Sequence, residues 1–346
     1  MMYILIAILI FGILVAVHEF GHFITAKLCG VRVLEFSIGM GPTLLKKQGA
    51  ETLYSLRALP IGGFCAMEED EASSDPRAFP NQSLPKKLLI LVAGAGMNFL
   101  MGFALILAVF AGSGAQTTEI TGFMEGCPYE SETAFQVGDE IWKIDGHRVY
   151  VTGDISTFLS RGTVHDVMVK RGGEKVTLEG LHIERLEYPG QAQPMYGFEL
   201  QGQAKGLVQK TQHAWYQSCY FVRMVWMSLG DLISGTYGVN DLSGVVGIVG
   251  MMSDVGKQSA SAWAAFMNLA YLSAFIAINL AVMNLLPIPA LDGGRILFLL
   301  LLWPVEKILK RRPDPKYEGY IHTAGLMLLM GLMVYVMFND VMRIVG

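Results

Sequence analysis

Residues Met1 to Leu14 carry no charged side chain, and the apolar run they open continues to about Leu28 with His18, Glu19 and His22 inside it. A run of this length exceeds the roughly 20 residues needed to cross hydrocarbon, so it predicts a membrane helix. Histidines at i and i+4 leave one face of a helix about one turn apart. Two neutral imidazoles at that spacing suit zinc, and the glutamate between them is placed to take a proton from water at the metal. Ionisable groups inside a span are costly and mark function, which weighs against a helix that merely happens to carry them. A cleaved signal peptide fits poorly, because the run is too long, lacks a basic start and contains the motif.

Composition agrees with a membrane protein. Of 346 residues, 52% are hydrophobic and 16% charged, with mean hydropathy +0.42. Ordinary soluble domains carry about 25% charged residues. The net charge of −4 is small, and no basic stripe with interleaved aromatics occurs, so nucleic acid is not an expected partner. Cys29, Cys65, Cys127 and Cys219 are scattered without a CxxC spacing, which leaves neither a disulfide framework nor a cysteine zinc site to read.

Hydropathy and turn residues divide the chain as follows. Residues 1–28 form the first span. Residues 29–87 form a polar connection with 7 Lys or Arg, where residues 31–33 and 53–56 are strand-like. Gly39, Gly41-Pro42, Gly49 and residues 60–63 are expected as turns, and residues 68–80 as an acidic surface loop. Residues 88–111 form the second span, whose one strongly polar residue, Asn98, serves either as glue between helices or near a site. Residues 112–186 alternate strand-like runs and turns, as in a small β-rich domain. Residues 187–261 are a helical linker, with a helix over residues 201–236 placed at the membrane surface. Residues 262–292 form the third span, residues 293–320 a basic connection with 6 Lys or Arg, including Lys310, Arg311 and Arg312, and residues 321–343 the fourth span. The apolar run at residues 296–303 is too short to cross and is placed at the interface. The positive-inside rule puts both basic connections in the cytoplasm and the termini and β-rich domain outside.

A catalytic zinc usually has three protein ligands and one open position. Among the spans, Asp292 alone is a carboxylate that ends one on the expected side with freed backbone around it. Pro287 and Pro289 break the helix just before it, and Gly293-Gly294 lets the carboxylate turn inward. An aspartate that simply closed a helix would sit at the negative end of its dipole.

His18-Glu19-Phe20-Gly21-His22 together with Asn284-Leu285-Leu286-Pro287-Ile288-Pro289-Ala290-Leu291-Asp292-Gly293-Gly294 resembles the site-2 intramembrane metalloproteases, in particular the bacterial branch that carries a PDZ domain. Phe36-Ser37-Ile38-Gly39-Met40-Gly41-Pro42, the run from Tyr54 to Gly63, and Asp75-Pro76-Arg77-Ala78-Phe79 match the same branch. The second span reads Ala93-Gly94-Ala95 where the family usually has Ala-Gly-Pro, and keeps Asn98.

The resemblance implies a multi-pass α-helical membrane protein: four transmembrane helices, a cytoplasmic-side membrane-reentrant β-hairpin over residues 36–63, and one extracytoplasmic β-rich PDZ domain. The clearest part of that domain is Gly138-Asp139-Glu140-Ile141 through Asp145-Gly146. It implies Zn2+ held by His18, His22 and Asp292, Glu19 as catalytic base, and Asn284, Pro287 and Pro289 engaging the substrate. The implied activity is a zinc metalloendopeptidase of the bacterial inner membrane that cuts transmembrane segments of single-span proteins, such as anti-sigma factors or remnant signal peptides. It would work in contact with membrane lipid, after an extracytoplasmic site-1 protease. Two other readings stand beside it: a membrane-anchored metalloprotease acting on soluble or prenylated substrates, and a non-catalytic metal-binding scaffold or transporter. A transporter should show inverted repeats with paired broken helices, and the sequence has one broken span and no repeat.

Overall fold

A computed structural model describes residues 2–69, 73–191, 193–236, 238, 242–309 and 315–345. Asp70 and Glu71 of the acidic loop and Lys310, Arg311 and Arg312 of the basic connection lie outside the described residues. The chain is mostly helical with small sheets, and it forms two compact units, residues 1–105 with 225–346, and residues 106–224.

In the first unit, helix α1 (Met2–Leu28) is followed by strands β1 (Val33–Gln48) and β2 (Leu53–Met67), then by helix α2 (Leu84–Ser113), which continues into the second unit. After residue 225 come helices α5 (Val245–Gln258), α6 (Ala262–Asn284), α7 (Asp292–Leu309) and α8 (Pro315–Val345). Four segments among the described residues are long and apolar enough to cross a membrane: Met2–Leu28, Leu84–Ser113, Ala262–Asn284 and Gly319–Arg343. At 1.5 Å per residue, α1 is about 40 Å long, more than the roughly 30 Å of hydrocarbon.

α6 starts on Ser261, whose hydroxyl accepts from the Ala264 N–H at 3.1 Å. It stops at Asn284, because Pro287 and Pro289 lack the amides a continuing helix needs. Asp292 therefore does not close the third span. It is the first residue of α7, where the helix dipole favours a negative charge. The apolar run at residues 296–303 lies within this 18-residue helix. Asp340 of α8, only 3% exposed, accepts from the N–H groups of Gly244 and Gly247 at 2.9 Å each, and so caps α5.

Of the glycines expected as turns in the polar connection, Gly49 lies in the turn that joins two long strands, its N–H donating to the Thr52 carbonyl at 2.9 Å, while others bend the strands themselves. Gly39, Gly41 and Gly62 lie inside β1 and β2 with φ of 84°, 83° and 87°. These are left-handed values that a residue with a Cβ rarely adopts. The bends fold the hairpin back on itself. Phe36 faces Cys65 on one side and Tyr54 on the other, while residues 63–67 pair only with the start of β1 and form one edge.

The second unit holds β3 (Gly122–Phe123), β4 (Glu140–Ile144), β5 (His147–Arg148), helix α3 (Thr152–Leu159), β6 (Val164–Arg171), β7 (Glu174–His182), β8 (Phe198–Glu199) and the first part of helix α4 (Gly206–Ile233). The four-stranded sheet has the order β5-β4-β6-β7. Along β6, His165, Val167 and Val169 are buried in alternation, as a pleated strand requires. In β4, Ile141 and Ile144 are both buried although three apart, because the register slips between Ile141 and Lys143. β8 pairs with β3, so the unit includes chain well beyond residue 186.

Candidate active site

The two histidines of α1 are one turn apart, and both are buried. Their Nε2 atoms are 3.1 Å apart, and the rings meet edge to face. Asp292 Oδ2 lies 3.1 Å from His18 Nε2 and 3.3 Å from His22 Nε2. A tetrahedral zinc with bonds of about 2.0 Å has ligand atoms about 3.3 Å apart, so the three donors stand at three corners of such a site. Asp292 Oδ2 has no hydrogen-bond donor, although it is buried. A buried carboxylate oxygen facing two imidazole nitrogens is costly unless a cation sits among them. Among the described residues this is the one group of three or more potential ligands able to hold a metal ion.

α2 supplies the backing. His22 Nδ1 donates to the Ile90 carbonyl at 2.8 Å, which fixes the tautomer and leaves the Nε2 lone pair free for a metal. On the other ring, the amides of Asn98 and Asn284 approach His18 Nδ1 at 3.5 and 3.4 Å. Asn98 is fully buried and its Oδ1 has no partner. Exchanging the two ends of that amide sets Oδ1 against Nδ1–H and satisfies both groups. Of the two roles considered for Asn98, the geometry matches the one beside the site.

Two glycines bring α1 and α2 this close. A Cβ on Gly21 would strike the Ala93 carbonyl oxygen and come within 2.9 Å of Gly94 Cα. A Cβ on Gly94 would run into His22 Nε2 and lie 2.8 Å from His18 Cε1. Small residues at such a crossing let membrane helices touch backbone to backbone. Here they also keep the space between the imidazoles clear.

Glu19 is half-buried on the same helix. Its carboxylate faces the Cys65 backbone N–H on the hairpin edge, and its Cγ lies beside Gly63. Asn284 reaches the cluster as the last residue of α6. Pro287 and Pro289 lie in the turn that follows, Pro289 against Gly325 of α8. His18, Glu19, His22, Asn98, Asn284 and Asp292 are thus gathered in one place. The Ile90 carbonyl and the Cys65 amide were not legible beforehand, since any residue type carries such groups. Gly94 stood in the sequence only as part of a variant motif.

Comparison with known proteins bears on what such a cluster does. The model described as peptidase family M50 matches residues 6–332. A protein of Clostridium perfringens whose name describes a zinc metalloprotease is 35% identical over 345 residues, covering 98% of this chain and 98% of its own length. A similarly named protein of Clostridium acetobutylicum is 36% identical over 346 residues, covering 98% and 97%. The regulator of sigma-W protease RasP of Bacillus subtilis is 26% identical over 426 aligned positions, covering 97% of each chain. Together with the four long apolar helices, these likenesses define a zinc metalloprotease of a membrane. The chain belongs to peptidase family M50, the site-2 proteases.

Proposed function

We propose that the protein hydrolyses peptide bonds within or at the edge of the bilayer, with zinc held by His18, His22 and Asp292. The observation that carries this reading is the convergence of three donor atoms, from two distant segments, at 3.1, 3.1 and 3.3 Å from one another. Bound zinc supplies Lewis acidity to the scissile carbonyl and to the attacking water. Glu19 takes the proton of that water and delivers it to the leaving amine. The Cys65 N–H aims the Glu19 carboxylate, while Ile90 and Asn98 hold the imidazoles in the tautomer that ligates.

A helical substrate hides its peptide groups in its own hydrogen bonds, so it must be unwound locally. A strand edge of the β1–β2 hairpin suits that task by strand addition. The edge at residues 63–67 lies beside Glu19. Asn284, beside His18, and Pro287 and Pro289 in the turn after it are read as engaging the extended segment. The substrates on this reading are single-span membrane proteins already shortened outside by a site-1 protease. Membrane-anchored anti-sigma factors are the first candidates, in keeping with the name of the Bacillus subtilis relative; remnant signal peptides are the second. The β-rich unit is read as a single PDZ-like domain on the outer side that excludes bulky ectodomains, and the site faces the cytoplasmic side of the bacterial inner membrane.

The test reconstitutes the purified protein with a single-span reporter in proteoliposomes. The expected fragments end inside the reporter's apolar segment, stop forming after chelation and return with added zinc. Cleavage that survives metal removal, or that acts only on a soluble polypeptide, contradicts the proposal.

A further inference from the structure

The carboxylate of Asp292 is set by the turn that precedes it, and that turn is unusual. Ala290 has φ of 80°, a left-handed value uphill for a residue with a Cβ. The turn is compact: the Ile288 N–H donates to the Leu286 carbonyl at 2.7 Å and the Leu291 N–H to the Ile288 carbonyl at 3.1 Å. Gly293 and Gly294 press the start of α7 against the backbone of residues 285–289, leaving no room for a side chain. Returning Ala290 to a negative φ would swing Leu291 and Asp292 away from the imidazoles.

Something outside the turn must favour the left-handed state, and α8 reaches it. His322 Nδ1 accepts from the Ala290 N–H at 3.0 Å. The same ring packs on Phe298 of α7, centroids 5.2 Å apart. One helical turn further along, Gly325 lies against Pro289: a Cβ there would come within 2.7 Å of the Pro289 carbonyl oxygen. Residues i and i+3 share a helix face, so both contacts belong to one surface of α8. Apart from this contact and the Asp340 cap on α5, the helix is lightly packed, with 6% of its most apolar window buried. Its contact with the turn is therefore not a by-product of general burial.

We propose that His322 and Gly325 form a clamp on the Pro289–Ala290 turn that sets Asp292 in place as a ligand, His322 being a positioning residue for the metal site. The proposal rests on Asp292 ligating zinc. The clamp acts before any substrate arrives, so its signature is metal affinity. Loss of a group that orients a ligand typically weakens metal binding about 10–100-fold.

Zinc affinity of the full chain in detergent, by competition with a chromophoric chelator, is the measurement, with the melting temperature followed in parallel. His322→Ala is expected to bind zinc about 10–100-fold more weakly than the unaltered chain. His322→Asn places Oδ1 where Nδ1 stood and is expected to restore most of the affinity. His322→Gln, whose acceptor lies one methylene further out, is expected to fall below the asparagine variant at a similar melting temperature. Ala290→Gly in the His322→Ala background is expected to recover part of the loss, since glycine takes the left-handed conformation freely. Asp292→Asn separates the two levels of the account. If Asp292→Asn loses zinc while His322→Ala binds as before, or if the asparagine and glutamine variants bind alike, the clamp is wrong and the ligand assignment stands. If Asp292→Asn binds zinc undiminished, the ligand assignment falls and the clamp falls with it.

Discussion

Replacing Glu19 by glutamine is expected to lower cleavage of a transmembrane reporter by about 10²–10⁴-fold, the usual worth of a positioned general base, while zinc stays bound at one ion per chain. The exchange is nearly isosteric. Glutamine keeps the acceptor oxygen for the Cys65 N–H and still fits beside Gly63, so the hairpin edge and α1 are not disturbed. What it lacks is a carboxylate able to carry the proton from water to the leaving amine. Because neither imidazole nor Asp292 is altered, metal content and melting temperature should match those of the unaltered chain. Undiminished cleavage would remove Glu19 from the chemistry. Loss of zinc would show that it holds the metal and not the proton.

The second large effect is expected at Gly94, a residue with no functional group. Its hydrogen points between the two imidazoles. A methyl in that place would overlap His22 Nε2 and lie 2.7 Å from His22 Cε1 and 2.8 Å from His18 Cε1. The rings cannot easily give way, because His22 is tied through Nδ1 to Ile90 on the same helix that would carry the methyl. Parting the helices would give up the close backbone contact of Gly21 on α1 with the Ala93 carbonyl. Gly94→Ala is therefore expected to reduce zinc below one ion per chain and cleavage by about 100-fold, the upper end of what losing a group that orients a metal ligand costs. Gly96→Ala, two residues along α2, is the control. Apart from its chain neighbours and its own helix backbone, no described atom lies within 4 Å of a Cβ there, and alanine is the better helix former by roughly 0.5–1 kcal/mol. Metal content and activity of Gly96→Ala should be unchanged. Equal losses in both variants would mean that α2 tolerates no substitution, and the specific argument about Gly94 would fail.

These two residues also mark what the sequence reveals and what it conceals. His18, Glu19 and His22 stand out because ionisable groups in a charge-free run are costly, and their spacing maps directly onto one helix face. Asp292 stands out because prolines free the backbone before it. Its local setting is read less well: taken as the close of a span, it is the opening of a helix. A proline pair shows that one helix ends, but not that another begins at once. Gly39, Gly41 and Gly62 mislead in the opposite way. Glycine signals a positive φ, and a turn is only the commonest place for one; here the positive φ values bend strands that run on. Gly94, Ile90, the Cys65 amide and His322 were concealed for a common reason. Each acts through backbone, through the absence of a side chain, or across helices, and none of these leaves a periodic or chemical trace in the sequence.

X-ray absorption at the zinc edge, on the protein loaded with one ion per chain, tests the central claim most directly. The account predicts a shell of nitrogen and oxygen neighbours at about 2.0–2.2 Å with two imidazoles and no sulfur. It also predicts that the carboxylate contribution disappears in Asp292→Ala. A sulfur shell at about 2.3 Å, or a spectrum unchanged by that substitution, would contradict it.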